Sequence, residues 1–315
     1  MKKRFVKLIA TVIFIGLFVW FYATNPDAIK ELASLHPAAI ASIILLQFLT
    51  LVLNDLTIKT IIAKLGTKLN FSQGLFAAYI SSFGNYFLPL SGGAALRAVY
   101  LKRNHNFSYK KFISMMYGMY IVSFLATSSV VLVSMAGLYV LDGLFVLSLY
   151  LLMAFLFLFT LSLSSARIRV DDVILRFFGR FRLSRPFVDK ANKVTVGWKQ
   201  LTKERKLVIK LLSYALLNIF TRAIMYFIAF QAIGIDINFL QALIYNSIIS
   251  LSLYLTVTPG SIGIRETMLL LFGTGLFFSD TAILAVSLID RASLILLLLG
   301  LFVWFHFVKR ERIKL

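Results

Sequence analysis

The stretch Leu255-Thr256-Val257-Thr258-Pro259-Gly260-Ser261-Ile262-Gly263-Ile264-Arg265-Glu266 decides how this chain is read. Apolar sequence lies on both sides of it, yet within it stand a proline, two glycines, an arginine and a glutamate. Proline and closely spaced glycines break a helix, and a bilayer tolerates broken backbone only where protein buries it or it lines a wet cavity. An ionisable side chain at that depth costs roughly 2.5–3.5 kcal/mol on an insertion scale, so the pair marks a functional site. A second stretch has the same grammar: Asn85-Tyr86-Phe87-Leu88-Pro89-Leu90-Ser91-Gly92-Gly93-Ala94-Ala95-Leu96-Arg97. In both, a glycine stands four positions after the proline, and an arginine follows it. Interrupted apolar segments in both halves of a chain predict a transporter-like site.

Composition sets the class around these two breaks. Of 315 residues 60% are hydrophobic, and the mean hydropathy is +0.87, which reads as an integral membrane protein. Lysine and arginine outnumber the acids by 33 to 13, for a net charge of +20. In a soluble protein that balance would suggest nucleic acid. In a membrane protein it is the mark of cytoplasmic loops and anionic lipid, and no nucleic-acid partner is expected. The absence of cysteine excludes disulfides, thiolate catalysis and cysteine-ligated metals. His36, His105 and His306 have no metal-ligand spacing, so no metal or cofactor is expected. With no paired carboxylates or nucleophile and base, the expectation is a protein that is not an enzyme.

The chain in order predicts its own topology. Met1-Lys2-Lys3-Arg4 precedes an apolar run over 5–22 with no small-residue cleavage site, read as an uncleaved helix with a cytoplasmic N-terminus. Residues 38–56 return inward towards Lys59, Lys64 and Lys68; Asn54 and Asp55 either belong to the same network as the charges of the breaks or mark the inner boundary, which is the favoured reading. Basic residues then flank 73–101 on both sides. The arm from Pro89 to Lys102 is too short for a core about 30 Å thick at about 1.5 Å per residue. A re-entrant hairpin with its tip at Pro89-Leu90-Ser91-Gly92-Gly93 meets both constraints. Residues 112–140 go out and 144–163 come back. Within the basic segment 165–206, Val173, Ile174, Phe177, Phe178 and Phe181 lie at helical spacing, which predicts an amphipathic helix on the anionic inner leaflet. A merely topogenic basic loop is the alternative. Residues 207–233 go out again and carry Arg222. Residues 239–278 start and end outside, broken at their centre, either as two full spans or as a second re-entrant hairpin, which analogy favours. Residues 281–307 carry Asp290-Arg291 and end inside at Lys309-Arg310-Glu311-Arg312.

The expected fold is thus an all-α polytopic membrane protein with both termini cytoplasmic. It is one transmembrane domain over 1–315, with halves at 5–164 and 207–308. Six spanning helices accompany two broken hairpins that enter from opposite sides, the pattern of an inverted repeat.

A helix that starts at a hairpin tip presents unpaired backbone N–H groups and the positive end of its dipole. Serine can cap such a start and glycine admits a ligand close to the backbone. The candidate binding residues are therefore Asn85, Ser91, Gly93, Arg97, Arg222, Pro259, Gly260, Gly263, Arg265, Glu266, Asp290 and Arg291. Four of these are arginines and two are acids, so the acids cannot neutralise every cation. A phosphate suits the surplus, because the guanidinium fork matches its oxygens. The competing reading makes the glycines and prolines structural kinks and the arginines ordinary partners of Glu266 and Asp290. Asn85 and Tyr86 face either the cavity or a neighbouring helix.

These residues resemble the lysylphosphatidylglycerol synthetase transmembrane-region family, also called flippase-like integral membrane proteins. The resemblance rests on Asn85, on Leu88-Pro89 through Gly93 to Arg97 with Tyr100-Leu101, and on Pro259, Gly263, Arg265 and Glu266. It departs at Ala94, where many relatives carry an acidic residue. The resemblance implies movement of an anionic or aminoacylated lipid across a bacterial-type inner membrane. Fused members carry a soluble synthase domain, which this chain, ending at Leu315, is expected to lack. Two functions compete. One is translocation of an anionic or aminoacylated phospholipid or a polyprenyl-phosphate-linked lipid. The other is service as a membrane partner or scaffold for a lipid-modifying or glycosyl-transfer enzyme.

Overall fold

The computed structural model describes residues 35–88, 92–138, 151, 153, 154, 157, 204–254, 259–261, 263–273 and 278–309. The predicted helix over 5–22, Ser91, and the amphipathic segment up to residue 203 lie outside the described residues. So does most of 144–163, of which Leu151, Met153, Ala154 and Phe157 are described, as helix.

Helix α1 spans Pro37–Lys64. The imidazole of His36 caps it by accepting from the Ala38 N–H, Pro37 fits the first turn, and Gly66 at φ 86° turns the chain away after its end. Helix α2, Phe71–Phe87, opens with a capping box in which Asn70 accepts from the Gln73 N–H and Gln73 accepts in return. After a break come α3, Gly92–His105, and α4, Tyr109–Leu138. Helix α5 spans Arg205–Ala232 and α6 spans Phe239–Tyr254. A single 3-10 turn, Pro259–Ser261, leads to α7, Ile264–Gly273. Ser279 caps α8, Asp280–Val303, which widens into a π turn over Trp304–Lys309. No strand occurs among the described residues.

Four of these helices, α1, α4, α5 and α8, are long and apolar enough to cross a membrane. They answer the predicted spans at 38–56, 112–140, 207–233 and 281–307. Helices α2, α3, α6 and α7 have 17, 14, 16 and 10 residues. At about 1.5 Å per residue none reaches much beyond 25 Å. One boundary is corrected. Asn54 and Asp55 do not end the second predicted span, because α1 continues to Lys64. Asp55 is fully buried beneath α2, so close to Gly74 that a Cβ there would sit 1.9 Å from its Oδ1. The helix carries it because α2 covers it and Lys59, one turn on, stands 4.0 Å away.

The interior divides into two apolar layers along the helix axes. One gathers Ile43 of α1, Val130 and Met135 of α4, Tyr226 and Phe230 of α5, most of α6, and Ile283 and Val286 of α8. The other gathers Ile58 and Ile62 of α1, Phe76 and Tyr79 of α2, Tyr100 of α3, Met115 of α4, Leu211 of α5, and Leu298 and Phe305 of α8. Both are fastened by edge-to-face aromatic pairs, Phe230–Tyr245 and Phe76–Tyr100, each with ring centroids 5.0 Å apart. Leu75 to Ile80 of α2 and Tyr100 and Leu101 of α3 belong to the second layer, and the buried apolar residues of α6 and α7 belong to the first. The second layer lies at the basic end of the bundle, where Lys64 pairs with Glu204 at 2.6 Å and Lys111 bonds the Leu65 carbonyl. Leu45, Val133, Leu217, Leu296 and Phe302 face outward from the four long helices.

Candidate functional site

Between the two layers each long helix turns polar near its middle. On α1 the change falls at Gln47 and Thr50, on α4 at Ser123 and Thr127, on α5 at Asn218 and Arg222, and on α8 at Asp290 and Arg291. These residues line a cavity of about 370 Å³. The two interrupted segments complete it from opposite ends: Ser81, Ser82, Asn85, Tyr86, Ala94 and Arg97 from the first, Gly260, Ser261 and Arg265 from the second. Helix α2 also packs directly against the turn Pro259–Ser261, so the breaks meet.

The first break is held by close backbone approach. A Cβ on Gly93 would stand 1.8 Å from the Ser81 carbonyl oxygen, and one on Gly84 would stand 2.6 Å from the Gly93 Cα. Only two glycines let α2 and α3 lie this near. The Asn85 side chain accepts from the Gly93 N–H at 3.1 Å and so caps α3. Arg97, one turn into α3, is 6% exposed and has no acidic partner among the described residues. One of its terminal N–H groups meets the Met116 sulfur at 3.0 Å, its guanidinium lies 5.7 Å from the Phe112 ring centroid, and its Nε is buried without an acceptor.

The second break turns through left-handed backbone at Gly260, Ser261 and Gly263, with φ of 61°, 54° and 83°. Gly263 has open space around it, so backbone conformation rather than crowding requires glycine there. Beyond the turn, the neighbours Arg265 and Glu266 pair with the neighbours Asp290 and Arg291 of α8. Arg265 bonds Asp290, both about nine-tenths buried. Arg291 grips Glu266 Oε1 through Nε at 3.2 Å and Nη2 at 2.6 Å, and its Nη1 reaches the Gly260 carbonyl at 3.1 Å. Both acids accept further bonds. Asp290 accepts from Gln47 Nε2 at 2.7 Å and from the Tyr226 hydroxyl at 3.3 Å. Glu266 accepts from Ser287 at 2.8 Å and from the Gly263 N–H at 2.9 Å. Even so, Nε and Nη2 of Arg265 are buried without an acceptor.

Of the residues singled out from sequence, Asn85, Arg97, Arg222, Gly260, Arg265, Asp290 and Arg291 line the cavity. Glu266 stands behind Arg291, Gly93 and Gly263 cap and turn the two breaks, and Pro259 begins the second turn. Asn85 and Tyr86 both face the cavity, and Asn85 also caps α3. One expectation is corrected. The helix starts do not offer the Gly93 and Gly263 N–H groups to a ligand, because Asn85 and Glu266 already take them. Guanidinium groups therefore carry the positive charge of the site. Arg222 has no hydrogen bond or ion pair among the described residues. Sequence reading missed Gln47, Tyr226 and Ser287, although a glutamine in the apolar run of α1 was a visible signal.

An all-helical membrane protein whose interrupted helices close on a polar, arginine-rich cavity halfway along the bundle is the class defined here. The family described as Lysylphosphatidylglycerol synthase TM region matches residues 7–301 of the 315, and the chain belongs to it. The family places the protein in lipid metabolism at a membrane. A search of the curated proteins finds no match.

Proposed function

We propose that this protein translocates a lipid across a bacterial-type inner membrane, binding its anionic headgroup in the cavity between the two breaks. The observation that carries the reading is the charge of that cavity. Among the described residues Arg97, Arg222, Arg265 and Arg291 face two acids, Glu266 and Asp290, both of which are already paired. Buried cations without acids are costly in an apolar bundle, and an anionic group relieves the cost. In this reading α2–α3 and α6–α7 are re-entrant hairpins related as an inverted repeat, and the basic end of the bundle is cytoplasmic. Both termini are then cytoplasmic, and segment 165–206 lies on the anionic inner leaflet. The protein acts as a carrier and not as an enzyme.

The test is a lipid-flip assay in liposomes reconstituted with the full chain, using fluorescent phospholipids of different headgroup charge. Arg97→Gln and Arg222→Gln remove cations that form no ion pair among the described residues, so the fold should survive. Transport of an anionic lipid should fall about tenfold or more, with partial rescue by lysine, which lacks the bidentate fork. Transport unchanged in both variants would favour the alternative, a scaffold for a lipid-modifying or glycosyl-transfer enzyme.

A further inference from the structure

We propose that Asp55 binds a proton beneath α2, and that loss of this proton loosens α2 as a wall of the cavity. The proton site stands on its own geometry, while its bearing on transport rests on the translocase reading. Among the described residues Asp55 takes no part in the two charge pairs beside the cavity. It is 0% exposed, and neither of its carboxylate oxygens has a hydrogen-bond partner. Gly74 of α2 closes over it, so that a Cβ there would stand 1.9 Å from Oδ1. A buried carboxylate that no donor reaches is the costly form of this side chain. A proton removes the charge and leaves the packing as it is.

The charged neighbours do not supply the missing partner. Lys59 Nζ stands 4.0 Å from Oδ2, beyond hydrogen-bond reach, and its side chain is 23% exposed. The lysine stem runs past Gly74 and carries the ammonium out to within 5.5 Å of the Phe71 ring centroid. Helix α2 brings no charge of its own, since Phe71–Phe87 contains no acid, lysine, arginine or histidine. Its titratable residues are Tyr79, packed on Phe76 and Phe305, and Tyr86, which lines the cavity. Other cations at this end are engaged elsewhere: Lys64 with Glu204, Lys111 with the Leu65 carbonyl, and Lys210 over the Tyr214 ring.

The helix that covers Asp55 also gives the cavity Ser81, Ser82, Asn85 and Tyr86. An ionised Asp55 needs donors, and water supplies them when α2 lifts from α1 at Gly74. The packed arrangement therefore holds one proton more than the lifted one. Packing of α2 is firm at low pH and weakens as pH rises.

Infrared spectra of the full-length protein in detergent give the first readout. At about pH 6, above the ordinary carboxylate range, the wild type should show a protonated-carboxyl band that Asp55→Asn lacks and that fades towards about pH 9. The second readout is amide hydrogen exchange over 71–87, taken as a ratio to exchange over 280–303 in the same molecule. Between about pH 6 and about pH 9 that ratio should rise about tenfold in the wild type and stay level in Asp55→Asn. Lys59→Met should keep the wild-type pH dependence. Should Asp55→Asn fail to fold, the ratios in the wild type and Lys59→Met decide. A wild type without the band, or with a ratio that ignores pH, overturns the proposal. So does a raised ratio at low pH in both Asp55→Asn and Lys59→Met, which would make the two residues a structural ion pair. Flipping of fluorescent phosphatidylglycerol in liposomes tests the link to transport, and Asp55→Asn should slow it about tenfold. Flipping by Asp55→Asn at the wild-type rate overturns that link. A proton band and a pH-dependent ratio in a wild type that flips no lipid would overturn the translocase reading and leave the proton site standing.

Discussion

Asp290→Asn is the most informative single change in this protein. The side chain keeps its shape and its oxygen can still accept from Gln47, while the new amide N–H2 replaces the oxygen that accepted from Arg265 and Tyr226, so the charge and those two bonds are lost together. Arg265 and Asp290 are 8% and 9% exposed, so the pair is little screened. At an effective dielectric of 20, charges about 4 Å apart attract by about 4 kcal/mol. Removing one partner of a buried pair typically costs about 3–5 kcal/mol, because the survivor is left uncompensated. At roughly 2–3 °C per kcal/mol for a chain of this size, Tm should fall by roughly 8–12 °C. The assay is thermal unfolding of the purified protein in detergent. The double variant Asp290→Asn/Arg265→Gln discards both charges and should recover at least half of the loss, the signature of a coupled pair. Anionic-lipid binding should move the other way in the single variant, tightening as the cavity loses an acid. A fall below about 2 °C, or a double variant no better than the single, would refute the account of the pair as one buried electrostatic unit.

Gly93→Ala should cost about 3 kcal/mol or more, since its Cβ would meet the Ser81 carbonyl at 1.8 Å and backbone cannot step aside. Gly300→Ala, with nothing within 4 Å, should instead be neutral or stabilise by about 0.5–1 kcal/mol, and equal effects in unfolding experiments would contradict the packing. In this cysteine-free chain, Lys68→Cys and Lys102→Cys should label only from the cytoplasmic side and Asp236→Cys only from the other, and outside labelling of both lysine positions would end the re-entrant reading of α2–α3. A peptide of residues 165–206 should bind anionic vesicles, and loss of Arg176, Arg180 and Arg182 should weaken that binding more at low salt than at high. Salt-independent binding would leave only a topogenic role.

What the amino-acid sequence determined by itself was where the helices break and where charge had to be dealt with. Gly92, Gly93, Pro259, Gly260 and Gly263 stand where helices start or turn through local backbone chemistry, which needs no knowledge of the rest of the chain. Hydropathy likewise placed α1, α4, α5 and α8, because acyl-chain length imposes about twenty apolar residues on any span. Partner choice was another matter. That Arg265 takes Asp290 while Glu266 takes Arg291 depends on how α7 lies along α8, and either acid stood open to any of three arginines in the sequence. The inner end of α1 was misplaced for the same reason: Asp55 reads as a boundary until α2 is seen to cover it through the gap at Gly74. Gln47 and Tyr226, both bonded to Asp290, lie 243 and 64 residues away from it. Contacts across such separations are set by packing in three dimensions. For that reason the excess of positive charge was legible from composition, while the pairing of each acid with its own arginine was decided only by the tertiary structure.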